Sequence, residues 1–462
     1  MGFSMGITLV QKSDLSKKKL HAKMALVLAG GAVSGGAFKA GGLKALNDFL
    51  VNKKVTDFDI YVGISAGGFL SVPLAGGIPP EEILKSLDGT SERFQQLAPF
   101  HLYYPNWKEF VERPLKYLYE TFTYFPGLLI DFVSSFPRLS GRLKDGMIRF
   151  FKDPTYSNYE QMLRPIVRSL YTTRHLPSIV TAMPSGAFDN ITFEKYLRNQ
   201  IRRNRMSNNF KVLKKMRGKD LYISAMELDT AERVVFGWDE RNDIPISEAV
   251  MASTAMPGFY KPARVKGVDY IDGGVRQTAS IDIALQKGAD LVICYNPFRP
   301  FKNMINLEYI REGNRYVTRD HRITDSGVFG VFNQVFRTLY HSRLMYGIEK
   351  YQEDKNFKGD IILIEPKEDD FTFFDMNPFA FWNRAKAAKH GFESVRDSID
   401  ERFDDIAKVL TSYGIEMTRE VVMQDEAKMK RAANDEEAIM DVLEGQSPRR
   451  RLRVIAGGEK RK

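Results

Sequence analysis

A glycine–x–serine–x–glycine run, Gly63-Ile64-Ser65-Ala66-Gly67, directly follows the apolar segment Phe58-Asp59-Ile60-Tyr61-Val62 and precedes a second apolar stretch. A strand that turns sharply into a helix presents an apical serine at the carboxyl edge of a sheet, and flanking glycines permit the cramped backbone of such a turn. The context therefore points to a strand–turn–helix unit with Ser65 as a candidate nucleophile. A tight surface turn with an inert serine fits the five residues alone equally well.

A second element has the same form. Met24-Ala25-Leu26-Val27-Leu28 reads as a buried strand and runs into Ala29-Gly30-Gly31-Ala32-Val33-Ser34-Gly35-Gly36. A helix is expected next, with Phe38, Leu43, Leu46, Phe49 and Leu50 on its apolar side. Small residues at such a turn leave backbone N–H groups pointing outward beside a positive helix end, a nest suited to negative oxygen. The nest can cradle a phosphate or stabilise the oxyanion of acyl transfer. The dinucleotide fingerprint fits poorly, because Ala32 stands where G-x-G-x-x-G has its middle glycine, and no Gly-Lys-Ser/Thr follows. Glycines that serve only helix–sheet packing are the plainer alternative.

A serine hydroxyl needs a proton acceptor to act as a nucleophile. The six histidines are His21, His101, His175, His321, His341 and His390, and none lies in a glycine-rich turn after a convincing strand. By contrast, Val268-Asp269-Tyr270-Ile271-Asp272-Gly273-Gly274 ends a short strand with an acid and two glycines. That arrangement lets Asp272 face a cleft, although Asp-Gly-Gly is more often an ordinary turn.

Together, a glycine-rich nest after the first strand, G-x-S-x-G after the next and Asp-Gly-Gly about two hundred residues later resemble the patatin-like phospholipase family. Further likeness lies in Ala252-Ser253-Thr254-Ala255-Met256-Pro257-Gly258-Phe259-Tyr260-Lys261-Pro262 and in Leu291-Val292-Ile293-Cys294-Tyr295-Asn296-Pro297, so that it covers roughly residues 24 to 300. The resemblance implies a Ser–Asp dyad of Ser65 and Asp272, with backbone donors at Gly30, Gly31 and Ala32 forming the oxyanion hole. It implies cleavage of fatty acyl esters of membrane phospholipid or another acyl lipid, without a cofactor. The family's nest commonly reads Gly-Gly-Gly-x-Arg/Lys-Gly, whereas this chain has Gly-Gly-Ala-Val-Ser-Gly. Ala32 and Ser34 thus leave room for a second reading, a catalytically weak scaffold that binds lipid or a protein partner.

Alternating strands and helices imply an α/β fold: a three-layer α/β/α sandwich around a mainly parallel sheet, patatin-like, with a helical, aromatic-rich insertion. Asp220–Ala225, Arg233–Phe236 and Asp360–Ile364 add strands. The expected organisation is a basic flexible leader at 1–23, a catalytic domain at 24–411, and a charged, disordered tail at 412–462. The insertion is expected at about 90–175 and a C-terminal extension at about 300–411. The insertion is greasiest from Leu118 to Phe136, but Glu120, Asp131 and Pro126-Gly127 break it. It lacks the ~20 continuous apolar residues of a membrane span. It reads either as helices packed onto the core or as a lid whose aromatic face meets lipid.

The net charge is +10. From Lys195 to Lys219 there are ten Lys/Arg and no Asp/Glu. A solvated helix face is the default explanation, and attraction to an anionic membrane surface the functional one. No recognised nucleic-acid-binding motif accompanies the charge, so nucleic acid is not expected. The sequence has no H-E-x-x-H, cysteine cluster or EF-hand loop, and no metal is expected. Lys17-Lys18-Lys19 lies in a leader without an apolar secretion core, and the lone Cys294 fits a reducing compartment. The expected location is cytoplasmic or peripheral at a membrane.

Overall fold

A computed structural model describes residues 6–19, 21–173, 178–306, 308–310, 315–317, 320–433 and 435–446. The chain divides into two compact units, one joining the residues up to Tyr104 to those from Asn190 onward, the other Pro105–Asp189.

The first unit is built on a nine-stranded sheet. Its strands are β1 (Ile7–Gln11), β2 (Met24–Leu28), β3 (Ile60–Ile64), β4 (Asp220–Glu227), β5 (Arg233–Gly237), β6 (Ala263–Val265), β7 (Val268–Asp272), β8 (Leu291–Tyr295) and β9 (Asp360–Ile364). They lie in the order β1-β9-β8-β2-β3-β4-β7-β6, with β5 paired to β4. The five central strands, β9 to β4, run parallel, and antiparallel pairs finish both edges. Strands β2, β3, β8 and β9 are short apolar runs buried at every residue. Such runs suit parallel strands covered on both faces.

The helices used below are α1 (Ala32–Phe49), α2 (Ala66–Ala75), α3 (Trp107–Lys152), α4 (Tyr156–Thr173), α5 (Ile191–Arg203), α6 (Phe210–Arg217), α7 (Ile246–Thr254), α8 (Gly327–Glu353), α9 (Arg384–Glu401), α10 (Glu420–Ala432) and α11 (Glu436–Leu443). Leu26, Leu28 and Tyr61 point into the core shared with α1 and α9, whereas Ala25, Val27, Ile60 and Val62 point to the face covered by Leu344 and Ile348 of α8. The three-layer α/β/α architecture follows from this alternation. Helix α1 crosses α9 at backbone contact. A Cβ at Gly41 would lie 1.8 Å from the Ala388 carbonyl oxygen, and one at Gly391 would lie 1.9 Å from that of Phe38.

Strand register also brings two distant turns together. Ile64 of β3 pairs with Ser224 of β4, and Asp272 of β7 pairs with the next residue, Ala225. Strand β5 occupies the other edge of β4 along the same stretch. Strands β3 and β7 therefore share one edge of β4 and meet end to end, with Ser65 and Asp272 at the junction.

Both ends of the chain differ from the expectation. Residues 7–11 are not a flexible leader: they add an antiparallel edge strand to β9, with Ile7 and Val10 buried. The backbone N–H groups of Lys12 and Ser13 then donate to the Asp360 carboxylate. The charged stretch after 412 is not a disordered tail throughout. It forms α10 and α11, which bury Val422, Met429, Ile439, Met440 and Leu443. Apolar residues at helical spacing outweigh the surrounding charge there. The basic segments Arg449–Arg453 and Lys460–Lys462 lie outside the described residues.

The second unit contains α3 and α4, and its Trp107, Phe122, Phe151 and Tyr156 are exposed. Among the described residues, no helix is long and apolar enough to cross a membrane.

Candidate active site

Ser65 sits between β3 and α2 at φ 54° and ψ −126°, a conformation that costs a β-carbon residue about 1–3 kcal/mol. Packing enforces it. A Cβ at Gly67 would lie 2.1 Å from the Leu28 carbonyl oxygen, so only glycine lets α2 start against the end of β2. The Ser253 hydroxyl of α7 accepts the Ser65 N–H at 2.8 Å and donates to the Ser224 carbonyl at 2.6 Å. This buried relay ties the turn to β4. The sequence around Ser253 carries a family likeness but no signal of this role as a backbone clamp.

Asp272 ends β7, its N–H donating to the Ala255 carbonyl at 2.9 Å. Its carboxylate accepts the Gly274 N–H at 2.8 Å and lies beside the Ser65 hydroxyl, which favours its charged form. Burial pushes the Asp272 carboxyl up to about 6, against the opposing pull of those two donors and the Lys39 charge. The structure thus brings together Ser65 and Asp272, 207 positions apart in the chain.

The glycine-rich turn lies alongside. A Cβ at Gly30 would fall 3.6 Å from that of Ser65. Among the described residues, the N–H groups of Gly30, Gly31 and Ala32 meet no hydrogen-bond acceptor, whereas those of Val33 and Ser34 both donate to the Pro378 carbonyl at 3.0 Å. Three amides at the mouth of α1 are open, and the next two anchor a loop. Ala32 adopts φ 52°, the conformation that its Cβ disfavours.

Lys39 is the residue that sequence reasoning missed. It is 0% exposed, and its ammonium donates to the carbonyls of Ala29 and Gly30, the latter at 2.9 Å. Burial pushes it down to about 7, although Asp272 and Cys294 pull the other way. A signal was present: Lys39 precedes Leu43 and Leu46 by four and seven residues, which places a lysine on the apolar face of α1.

Ser65 opens into a narrow cavity of about 80 Å³ whose walls are almost wholly apolar. Leu70, Leu97, Leu102 and Phe193 line it with Phe259 and Phe379, which stack at 4.1 Å between ring centres. The Pro378 anchor and the Tyr103 hydroxyl, which donates to the Phe379 carbonyl and accepts the Phe381 N–H, hold that wall in place. His341 and His390 lie in α8 and α9 against Glu365 and Asp370. Among the described residues, no group of three His, Cys, Asp or Glu side chains is placed to hold a metal ion.

The family model described as Patatin-like phospholipase matches residues 26–285, more than half of the chain. The chain belongs to the patatin-like phospholipase family. A second similarity is to "Probable lipid hydrolase 463L" of Invertebrate iridescent virus 6, 25% identical over 162 residues. That match covers 34% of this chain and 55% of the viral protein, so the chain spans about half the length of this curated relative. Among solved structures, VipD from Legionella pneumophila is similar at 15% identity and a TM-score of 0.35, covering 87% of this chain and 71% of VipD. Human GIVD cytosolic phospholipase A2, in complex with methyl gamma-linolenyl fluorophosphonate, is similar at 10% identity and a TM-score of 0.31. That alignment covers 89% of this chain and 66% of the human one. Overlaps this loose leave the assignment to the family match, and the patatin-like sheet is the one described above.

The basic stretch lies on α5, α6 and their connections. Lys195, Arg198, Arg202, Arg203, Arg205, Lys211, Lys215 and Arg217 are exposed there. Arg198 is paired with buried Glu194, and Lys214 with Asp220.

Proposed function

We propose that this protein is a serine acyl hydrolase that cleaves fatty acyl esters of membrane or storage lipids. Asp272 takes the proton of Ser65 as the hydroxyl oxygen attacks the ester carbonyl. The oxygen of that carbonyl gains negative charge and turns toward the N–H groups of Gly30, Gly31 and Ala32. The alcohol leaves with the proton returned by Asp272, and water, deprotonated in turn by Asp272, releases the fatty acid from Ser65. The observation that carries this reading is Ser65 lining an apolar cavity with the Asp272 carboxylate beside its hydroxyl and, among the described residues, three amides with no acceptor alongside. Burial supports it by making Asp272 a stronger base than a solvated carboxylate.

A fluorophosphonate probe tests the nucleophile. Labelling of wild-type protein and its loss in folded Ser65→Ala, together with Ser65-dependent fatty acid release from phospholipid vesicles, are the expected results. Full turnover by Ser65→Ala would overturn the assignment. The non-catalytic scaffold has one observation in its favour, the strained Ala32 at φ 52°; it predicts no labelling under conditions that label a control hydrolase. The exposed cations of α5 and α6 suit anionic headgroups, so binding to phosphatidylserine vesicles should exceed binding to phosphatidylcholine and fall with salt.

A further inference from the structure

The buried charge of Lys39 has no counterpart in the dyad chemistry. Removing an ammonium from water is costly unless an anion compensates it. Among the described residues, Lys39 has no carboxylate within ion-pair distance; its hydrogen-bond partners are two main-chain carbonyls of the glycine-rich turn. Those carbonyls belong to the peptide groups 29–30 and 30–31. In a trans peptide the C=O and N–H vectors point in opposite directions. Gripping the oxygens of Ala29 and Gly30 from within therefore turns the N–H groups of Gly30 and Gly31 outward. These are two of the three amides without an acceptor, and Gly30 is the one packed beside Ser65.

We propose that Lys39 is the positioning residue of the oxyanion site, a buried cation that locks two peptide planes so that their N–H groups face the carbonyl attacked by Ser65. This rests on the hydrolase reading above and adds to it. Lys39 touches no substrate atom and acts through the peptides. Its positive charge also draws electron density toward the two carbonyl oxygens, which makes the N–H groups stronger donors. Ser34, in the same turn, is neutral, and its N–H is already engaged by Pro378.

The charge is coupled to Asp272. Asp272 is faced by the Ser65 hydroxyl and the Gly274 N–H, by Lys39 from α1 and by Tyr340 from α8. Lys39 is faced by Asp272 from β7 and Cys294 from β8. Loss of the Lys39 charge removes a stabilising neighbour of the carboxylate, so the pH at which Asp272 ionises must rise.

The test is kcat/KM against pH for wild type, Lys39→Gln and Lys39→Arg, with Ser65→Ala as the control. Wild type should rise as Asp272 ionises near 6 and fall as Lys39 loses its proton near 7. Lys39→Gln keeps a donor without charge. Its rising limb should move to higher pH, its falling limb should vanish, and kcat should drop about a hundredfold with KM within about twofold. Lys39→Arg keeps the charge and should carry the falling limb to higher pH. Wild-type kcat and unmoved limbs in Lys39→Gln would overturn the inference. Turnover that persists in Ser65→Ala would instead overturn the hydrolase reading. A readout free of both turnover and folding of the Lys39 variants is the amide resonances of Gly30 and Gly31 in Ser65→Ala protein. They should shift together through the titration of Lys39, and immobility through that range would likewise overturn the inference.

Discussion

Helix α1 carries two buried lysines five residues apart, and their surroundings are opposites. Lys44 lies against Asp425 at 2.9 Å, against Asp48 one turn on, and within 3.9 Å of Glu81. Burial alone would push Lys44 down, but the carboxylates of Asp48 and Asp425 hold it above its usual value. Lys39 has carbonyl partners and is held down at about 7. The comparison separates a cation that joins elements from one kept in an unfavourable place. Lys44 links α1 to α10, whereas Lys39 stands behind the turn beside Ser65. The first is expected to govern stability and the second rate.

The largest expected effect is at the cleft end. Asp272→Asn keeps the side-chain shape and removes the proton acceptor, so turnover should fall about 10²–10⁴-fold. Stability should move the other way. The folded Asp272 carboxyl, raised by burial to about 6 from its ordinary 3.8, binds a proton more readily than the unfolded one. Folding therefore loses stability as pH rises between those values, and above both the loss is up to about 3 kcal/mol. Thermal melts at pH 8 should show Asp272→Asn more stable than wild type and the difference shrinking toward pH 4. A less stable variant at pH 8 would break the contrast between the surroundings of the two lysines.

On the joining side, Lys44→Met leaves Asp48 buried without its cation, while Asp425 keeps Lys428 at 2.7 Å, and should cost about 3 kcal/mol. Urea melts would measure the loss, and kcat per folded molecule should not change. A large fall in kcat with intact stability would erase the distinction. Between the two lysines, Gly41→Ala drives a methyl group into the Ala388 carbonyl and should destabilise by about 1–3 kcal/mol through the α1–α9 crossing. Its effect on rate should be smaller than that of any Lys39 variant.

The same helix shows what could be read in advance. Phe38, Leu43, Leu46, Phe49 and Leu50 are all buried as expected, and β2 and β9 span the residues their apolar runs suggested. Short apolar strands and glycine turns are local signals, and they were legible. Lys39 was obscured because a lysine in a helix normally marks solvent, and α1 is buried on nearly every side. Pro378 gave no signal at all, since its contribution is a main-chain carbonyl delivered by tertiary packing. The two chain ends depart from their sequence reading for a related reason: Lys17–Lys19 and the charges after Asp425 point to solvent. Ile7–Gln11, however, finds an open strand edge, and Asp425 finds Lys44.

Ala32 gives the smallest effect and a sharp discrimination. At φ 52° its Cβ costs about 1 kcal/mol, which glycine avoids, although glycine also loses more entropy on folding. Ala32→Gly should therefore stabilise by less than about 1 kcal/mol. If Lys39 already sets the peptide planes on the preceding residues, the alanine strains the nest without disabling it. Turnover should then change by less than about threefold, equivalent to under 1 kcal/mol in the barrier. A rise of a hundredfold or more would mean that Ala32 silences the natural site. The scaffold reading would then replace the hydrolase, and the cation behind the turn would be supporting an oxyanion hole that the wild-type chain does not use.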